Sequence, residues 1–208
     1  MAAPEDILLI DVGIGNIRSV RKALEKSGGR VQVSNQPENL LDAGKAVLPG
    51  VGAFGDFMHR LAATNLQEAI QEYVAAGKPL LGICVGMQAL FDLSSEYGEH
   101  PGLGIIPGKV VRFPAGNYLK IPQTGWNQIE FSPEIPLFRH LSPGAYVYFN
   151  HAYYCLPENL DSTIAFTTYG IRYASAISVN NVWGVQFHPE KSQEAGLMVL
   201  QNFVRMVM

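Results

Sequence analysis

Cys84 stands between two glycines in Gly82-Ile83-Cys84-Val85-Gly86, where an apolar strand-like run, Pro79 to Ile83, meets a segment of helical pattern, Met87 to Leu93. A cysteine attacks carbonyl carbon as its thiolate, and a sharp strand-to-helix turn suits that task. The residues flanking such a turn must be small, strain projects the sulfur outward, and the helix dipole with its free N–H groups favours the anion. Taken alone, the motif fits a buried, inert cysteine as well. Cys155, between Tyr154 and Leu156 in a β-rich stretch, has no comparable setting and reads as structural.

A cysteine nucleophile needs an imidazole nearby, held in the right tautomer by a third group. Gly184-Val185-Gln186-Phe187-His188-Pro189-Glu190 offers both. Residues two apart in an extended segment point the same way, so Glu190 can lie beside His188, with Pro189 keeping the segment extended. Of the other histidines, His59, His100 and His140 lack a structured apolar context and only His151 has one. A lone histidine at a strand end is more commonly a hydrogen-bonded surface residue. Its coincidence with the cysteine turn shifts the reading to a Cys84, His188, Glu190 triad.

Gly50-Val51-Gly52-Ala53-Phe54-Gly55 matches the Gly-x-Gly-x-x-Gly pattern of dinucleotide-binding turns. The fingerprint also needs an acid at the end of the next strand, and that strand ends at Cys84 with no Asp or Glu between Tyr73 and Phe91. The better reading places this loop beside the cysteine turn, where the N–H of Gly52 and that of Val85 form an oxyanion hole. A plain tight turn is the alternative.

These residues must be held by a framework, and the chain supplies one. Strand-like runs Ile7 to Ile10, Ala46 to Leu48 and Pro79 to Ile83 alternate with helical patterns. The helical patterns are Arg18 to Lys26, with Val20, Ala23 and Leu24 on one face, and a segment carrying Phe57, Leu61, Leu66, Ile70 and Val74. Continuous apolar runs suit buried parallel strands. The second half turns to short segments rich in Tyr, Phe, Thr and Val: Tyr146 to Phe149, Thr163 to Thr168, Ala174 to Val179 and Val182 to Phe187. A helix from about Gln193 to Val207 closes the chain, with Leu197, Leu200, Val204 and Val207 near helical spacing. The expected fold is α/β, a flavodoxin-like or Rossmann-like open and mostly parallel sheet with flanking helices and extra antiparallel strands in the second half. Residues 1–208 are expected to form one domain.

Bulk properties agree with such an enzyme. Hydrophobic residues make up 48% and charged residues 16%, and 15 Lys and Arg face 18 Asp and Glu for a net charge of −3. That balance argues against a nucleic-acid partner. Met1 to Asp6 and the short apolar run that follows lack the form of a signal peptide, and no run reaches membrane-span length. With only two cysteines, an oxidised framework is not expected and the cytoplasm is the expected compartment. Neither a metal nor a cofactor is expected.

Together the motifs resemble those of class I, triad-type glutamine amidotransferases. Pro49-Gly50-Val51-Gly52 is similar to their oxyanion strand, Gly82 to Gln88 to their cysteine elbow, and His188-Pro189-Glu190 to their His/Glu pair, in the same order along most of the chain. Within that family the resemblance narrows to the glutaminase subunits of imidazole glycerol phosphate synthase. It rests on Asp11-Val12-Gly13-Ile14-Gly15-Asn16, Met87-Gln88, Gly125-Trp126-Asn127 and Phe187-His188-Pro189-Glu190-Lys191-Ser192. Anthranilate-type relatives usually carry His at the position of Met87. The chain departs from the family in Val12 for Tyr, Gln123-Thr124 for His-Met, and Asn150-His151-Ala152-Tyr153 for Val-His-Ser-Tyr.

The resemblance implies hydrolysis of L-glutamine through a Cys84 thioester, with Gly50, Gly52 and Gln88 holding the substrate. It also implies a separate acceptor for the ammonia, a (β/α)8-barrel cyclase subunit, with no second active site in this chain. Asn16, Gln123, Trp126 and Lys191 are the expected docking residues, and Val12 and Gln123 are expected near the partner face. Trp126 reads equally as core, and Lys191 as a solvated charge. Three other readings stay open: a paralogue that feeds a different synthase such as a sugar-amidating enzyme of surface polysaccharide assembly, a stand-alone hydrolase of γ-glutamyl substrates, and a binding module on the same scaffold.

Overall fold

The computed structural model describes residues 5–114 and 119–206. Met1 to Pro4, and Val207 of the expected last helix, lie outside the described residues. The first half runs β1 (Glu5–Ile10), α1 (Ile17–Lys26), β2 (Gly29–Ser34), α2 (Pro37–Asp42), β3 (Lys45–Gly50), α3 (Phe54–Ala63), α4 (Leu66–Ala75), β4 (Leu80–Cys84) and the one-turn helix α5 (Val85–Gln88). The second half adds β5 (Phe91–Ser94), β6 (His100–Pro101), β7 (Ile106–Arg112), β8 (Gln123–Gln128), β9 (Glu130–Phe131), β10 (Tyr146–His151) and β11 (Tyr153–Pro157). It ends with β12 (Thr163–Tyr169), β13 (Ile171–Val179), β14 (Val182–Val185) and α6 (Gln193–Arg205).

The architecture is the expected α/β open sheet. Strands lie in the order β2-β1-β3-β4-β14 and all pair in parallel, after which β13 and β11 continue antiparallel towards β7, β5 and β6. A separate ribbon joins β8 to β10. Both β3 and β4 are buried along their whole length, which is why their sequences are near-continuous apolar runs. The edge strand β2 is only partly buried and carries Arg30, Gln32 and Ser34, so it has no apolar run to announce it. Helix α1 buries Val20, Ala23 and Leu24 as its pattern predicts, and the Asn16 side chain caps it by accepting from the Ser19 N–H at 3.3 Å.

Two expected elements differ. The pattern from Phe57 to Val74 is two helices, broken at Asn65, which adopts a left-handed conformation with φ 55°. The expected helix Met87 to Leu93 stops at Gln88, and Phe91–Ser94 is a strand. The carbonyls that would continue the helix are taken by a later segment: Ala89 O accepts from Leu103 N at 2.8 Å, Leu90 O from Ile105 N at 2.9 Å and Phe91 O from Gly104 N at 3.2 Å. Local periodicity cannot reveal a competitor so far along the chain. Among the described residues no helix is long and apolar enough to cross a membrane.

Candidate active site

The parallel register assembles the site. β4 lies between β3 and β14, with Gly50 paired to Cys84 and Val185 to Ile83. The loop after Gly50 and the segment after Val185 therefore emerge on either side of Cys84, at the carboxyl ends of the strands where open α/β sheets bind ligands. Cys84 has φ 55° and ψ −110°, a conformation that costs a non-glycine residue of order 1–3 kcal/mol and that clusters at functional sites.

The glycines around the turn are there for space. A Cβ on Gly86 would lie 1.9 Å from the Leu48 carbonyl oxygen, one on Gly50 would lie 2.5 Å from Gly86 N, and one on Gly82 would lie 2.7 Å from Gly86 O. The two strands and the elbow thus meet backbone to backbone. Since the obstacle at Gly86 is main chain that cannot swing aside, Gly86→Ala is expected to cost about 3 kcal/mol of stability. Urea unfolding measures this, as a lower midpoint at unchanged slope.

His188 Nδ1 lies 2.9 Å from Glu190 Oε1, and the two side chains are 3% and 2% exposed. Pro189 does not hold this segment extended, as the sequence suggests. It opens a 3-10 turn, Pro189–Lys191, with its fixed φ suited to the first position, and the turn swings Glu190 back under the imidazole. The backbone is pinned as well: Ser192 Oγ donates to His188 O at 2.6 Å and accepts from Tyr148 N at 2.9 Å, while His188 N donates to Tyr148 O at 2.9 Å. Burial alone would lower the imidazole pKa. The charge of Cys84 and a side-chain hydrogen bond to it, reinforced by Glu190, outweigh that penalty and raise it from 6.5 to about 10.

A cavity of about 120 Å³ opens above the sulfur. It is lined by Val51, Gly52, Cys84, Val85, Gln88, Glu96, Asn150, His151, Ala152, Tyr153, His188 and Lys191. Gly52 sits there with φ +89° and open space around its Cα, and Val85 starts α5, where helix N–H groups lack intrahelical partners. Both expected oxyanion donors thus border the cavity. Gly50, expected to touch substrate, is not among the lining residues; it ends β3 against the elbow, where a Cβ would lie 2.5 Å from Gly86 N. Gln88 does line it, and its Nε2 donates to Tyr153 O and to Gln186 Oε1, each at 3.0 Å.

Three lining or neighbouring groups escaped sequence reasoning. Glu96 comes from the turn after β5, and its Oε2 accepts from Phe54 N at 2.7 Å, at the start of α3. That helix N-terminus lies within the Gly-x-Gly-x-x-Gly match, so the place where a pyrophosphate would dock already holds a carboxylate. Gln186 is fully buried, and its Nε2 lies 3.7 Å from Cys84 Sγ. His151 is buried, its pKa lowered by burial to about 4, with Nδ1 2.8 Å from Tyr153 O and Nε2 3.3 Å from the Tyr173 hydroxyl. The apolar context of His151 was the one available signal.

The expected docking residues divide. Asn16 is exposed in the loop before α1, and that loop adjoins the oxyanion loop, for a Cβ on Gly15 would lie 3.7 Å from Val51 Cγ2. Trp126 is 46% exposed and packs edge-on against Tyr148, whose ring lies 5.7 Å from Lys191 Nζ. Gln123 is different: its side chain is 2% exposed and its Oε1 accepts from the Tyr173 hydroxyl at 2.9 Å, so it is turned inward and offers a partner nothing. Val12 is buried too. In β8 alternate residues face opposite sides, which sends Gln123 into the interior. Cys84 and Cys155 are both free and buried, and burial pushes the Cys155 thiol well up.

A strained cysteine elbow joined to a buried His/Glu pair is the arrangement of a thiol-dependent amidase, and comparison agrees. The family described as glutamine amidotransferase class-I matches residues 8–207, and the chain belongs to that family. Imidazole glycerol phosphate synthase subunit HisH of Syntrophotalea carbinolica is 48% identical, covering 95% of this chain and 98% of its own. The same-named subunit of Aquifex aeolicus is also 48% identical, covering 95% of each chain. The fold is shared with PurLQS from Thermotoga maritima, at a TM-score of 0.74 and 17% identity over 97% of this chain and 98% of that one.

Proposed function

We propose that this chain is the glutaminase subunit of an imidazole glycerol phosphate synthase, one domain over residues 1–208 that supplies ammonia to a separate cyclase subunit in histidine biosynthesis. The observation that carries the reading is the strained Cys84 above the buried His188–Glu190 pair, in a chain nearly half identical to HisH subunits along almost its whole length. Cys84 thiolate attacks the side-chain amide carbon of L-glutamine, and the carbonyl oxygen becomes an anion held by the N–H groups of Gly52 and Val85. His188, oriented by Glu190, gives its proton to the leaving nitrogen, so ammonia departs and a glutamyl thioester remains. Water then loses a proton to His188 and attacks the thioester, which releases glutamate and restores the thiolate. Both amide hydrogens of Gln88 are engaged, so its oxygen is what it offers the substrate, as an acceptor. Glu96 adds a carboxylate for the substrate ammonium.

The ammonia acceptor is a (β/α)8-barrel cyclase, which docks on the rim carrying Asn16, Trp126 and Lys191 and combines ammonia with a phosphoribulosyl aminoimidazole carboxamide nucleotide. Imidazole glycerol phosphate and an aminoimidazole carboxamide ribonucleotide are the products. Free, buried thiols suit the cytoplasm. Trp126→Ala is expected to weaken the complex about tenfold or more in titration calorimetry, since exposed aromatic anchors dominate interfaces. The function is tested by measuring glutamine hydrolysis with the chain alone and with the cyclase plus its nucleotide. Strong stimulation by the pair supports the reading; hydrolysis indifferent to the cyclase moves the partner to another synthase, such as a sugar-amidating one.

A further inference from the structure

The nucleophile has a second neighbour besides His188. Gln186 directly follows β14, whose Val185 pairs with Ile83, so the register sets Gln186 alongside Cys84. It is fully buried, and its Nε2 lies 3.7 Å from Cys84 Sγ, within range for an N–H donor to sulfur.

The direction of this contact follows from hydrogen-bonding rules. A side-chain amide presents hydrogens on nitrogen and lone pairs on oxygen, so its orientation must be worked out from its partners. The chain of partners begins at the Tyr153 carbonyl, which can only accept. Gln88 lies 3.0 Å from that oxygen and must turn its NH₂ towards it. The same NH₂ lies 3.0 Å from Gln186, which must therefore answer with its oxygen. The remaining end of the Gln186 amide is its NH₂, and it faces the sulfur. Flipping either amide would set two acceptors or two donors against each other inside the protein and leave a buried group unpaired.

His151 reinforces the starting point. Held neutral by burial, it donates Nδ1–H to the same Tyr153 carbonyl at 2.8 Å, while its Nε2 lies 3.3 Å from the Tyr173 hydroxyl. Two donors on one carbonyl fix that oxygen in place.

We propose that Gln186 is a positioning residue for the Cys84 nucleophile: its amide N–H, locked in orientation through Gln88 by the Tyr153 carbonyl, donates to the thiolate and holds it in the attacking position. This rests on the glutaminase reading and adds to it a residue outside the triad and the oxyanion hole. A hydrogen bond to an ionised group is worth roughly tenfold or more in equilibrium, and here it holds the sulfur in place, so its loss should slow the attack of Cys84 by about that factor.

The test is the rate at which iodoacetamide alkylates Cys84 near neutral pH, with the modified cysteine identified by mass spectrometry and buried Cys155 as internal reference. The reagent needs no glutamine site, so substrate binding does not enter. Gln186→Met keeps the length and removes the donor; it is expected to slow alkylation about tenfold and to lower kcat for glutamine by a similar factor with KM within about twofold. Gln88→Met, which releases the lock on Gln186, is expected to slow alkylation in the same direction and stands in if Gln186→Met does not fold. Alkylation at the wild-type rate in the folded variant overturns the inference and leaves the glutaminase reading intact. A wild-type chain not alkylated at Cys84 overturns both.

Discussion

Cys84→Ala is expected to lower glutamine hydrolysis by on the order of 10⁴ or more, because removing the nucleophile of a triad costs about as much as removing the triad. The structure makes this substitution clean. Cys84 is 3% exposed and its backbone conformation is imposed by the elbow, where Leu48, Gly82 and Gly86 meet main chain to main chain. Alanine enters that conformation no less easily than cysteine, so the fold should survive and the loss should lie in chemistry. The measurement is glutamate release by the purified variant, together with synthase turnover in the presence of the cyclase and added ammonium salt. Hydrolysis near the wild-type rate would end the thioester mechanism. Turnover restored by ammonium would separate the loss of glutamine chemistry from the loss of the complex.

His188→Ala is expected to lower kcat about 10³-fold with little change in KM, since general acid–base transfer contributes typically 10² to 10⁴ and His188 handles the proton in both half-reactions. It also carries a pH signature. Folding raises the His188 pKa from 6.5 to about 10, so the folded state favours the protonated imidazole. The stability this contributes is complete below about pH 6.5 and is lost as pH rises through about 10. Urea unfolding of wild type and His188→Ala across that window should show a stability gap that narrows as pH increases. A gap of constant size would mean that Cys84 and Glu190 do not hold the imidazole protonated. The first raising cause is Cys84 itself, so Cys84→Ala should also bring the His188 imidazole down in an NMR titration.

Much of this protein could be read from its residues. The runs at β1, β3 and β4 were legible because strands buried on both faces leave no room for polar residues. The elbow was legible because its glycines have no substitute in such close backbone contact. β2 was not, being a half-exposed edge strand, and neither was the strand at Phe91–Ser94, because the carbonyls of residues 89–92 accept from residues 102–106. The docking residue Gln123 was misplaced because the pleat of β8, which decides the face, depends on its pairing with β10.

What the sequence by itself determined is the chemistry: a cysteine on a turn that only glycine permits, and a histidine and glutamate close enough along the chain to meet in any compact local geometry. What only the tertiary structure decided is everything that depends on strands lying side by side. The placement of Gln186 beside the sulfur, the chain of amides back to the Tyr153 carbonyl, the Glu96 carboxylate at the start of α3 and the inward turn of Gln123 join segments far apart in the chain. Their distances are set by register across the sheet and by which carbonyls other segments leave unclaimed, and neither quantity is written in local periodicity or motif spacing.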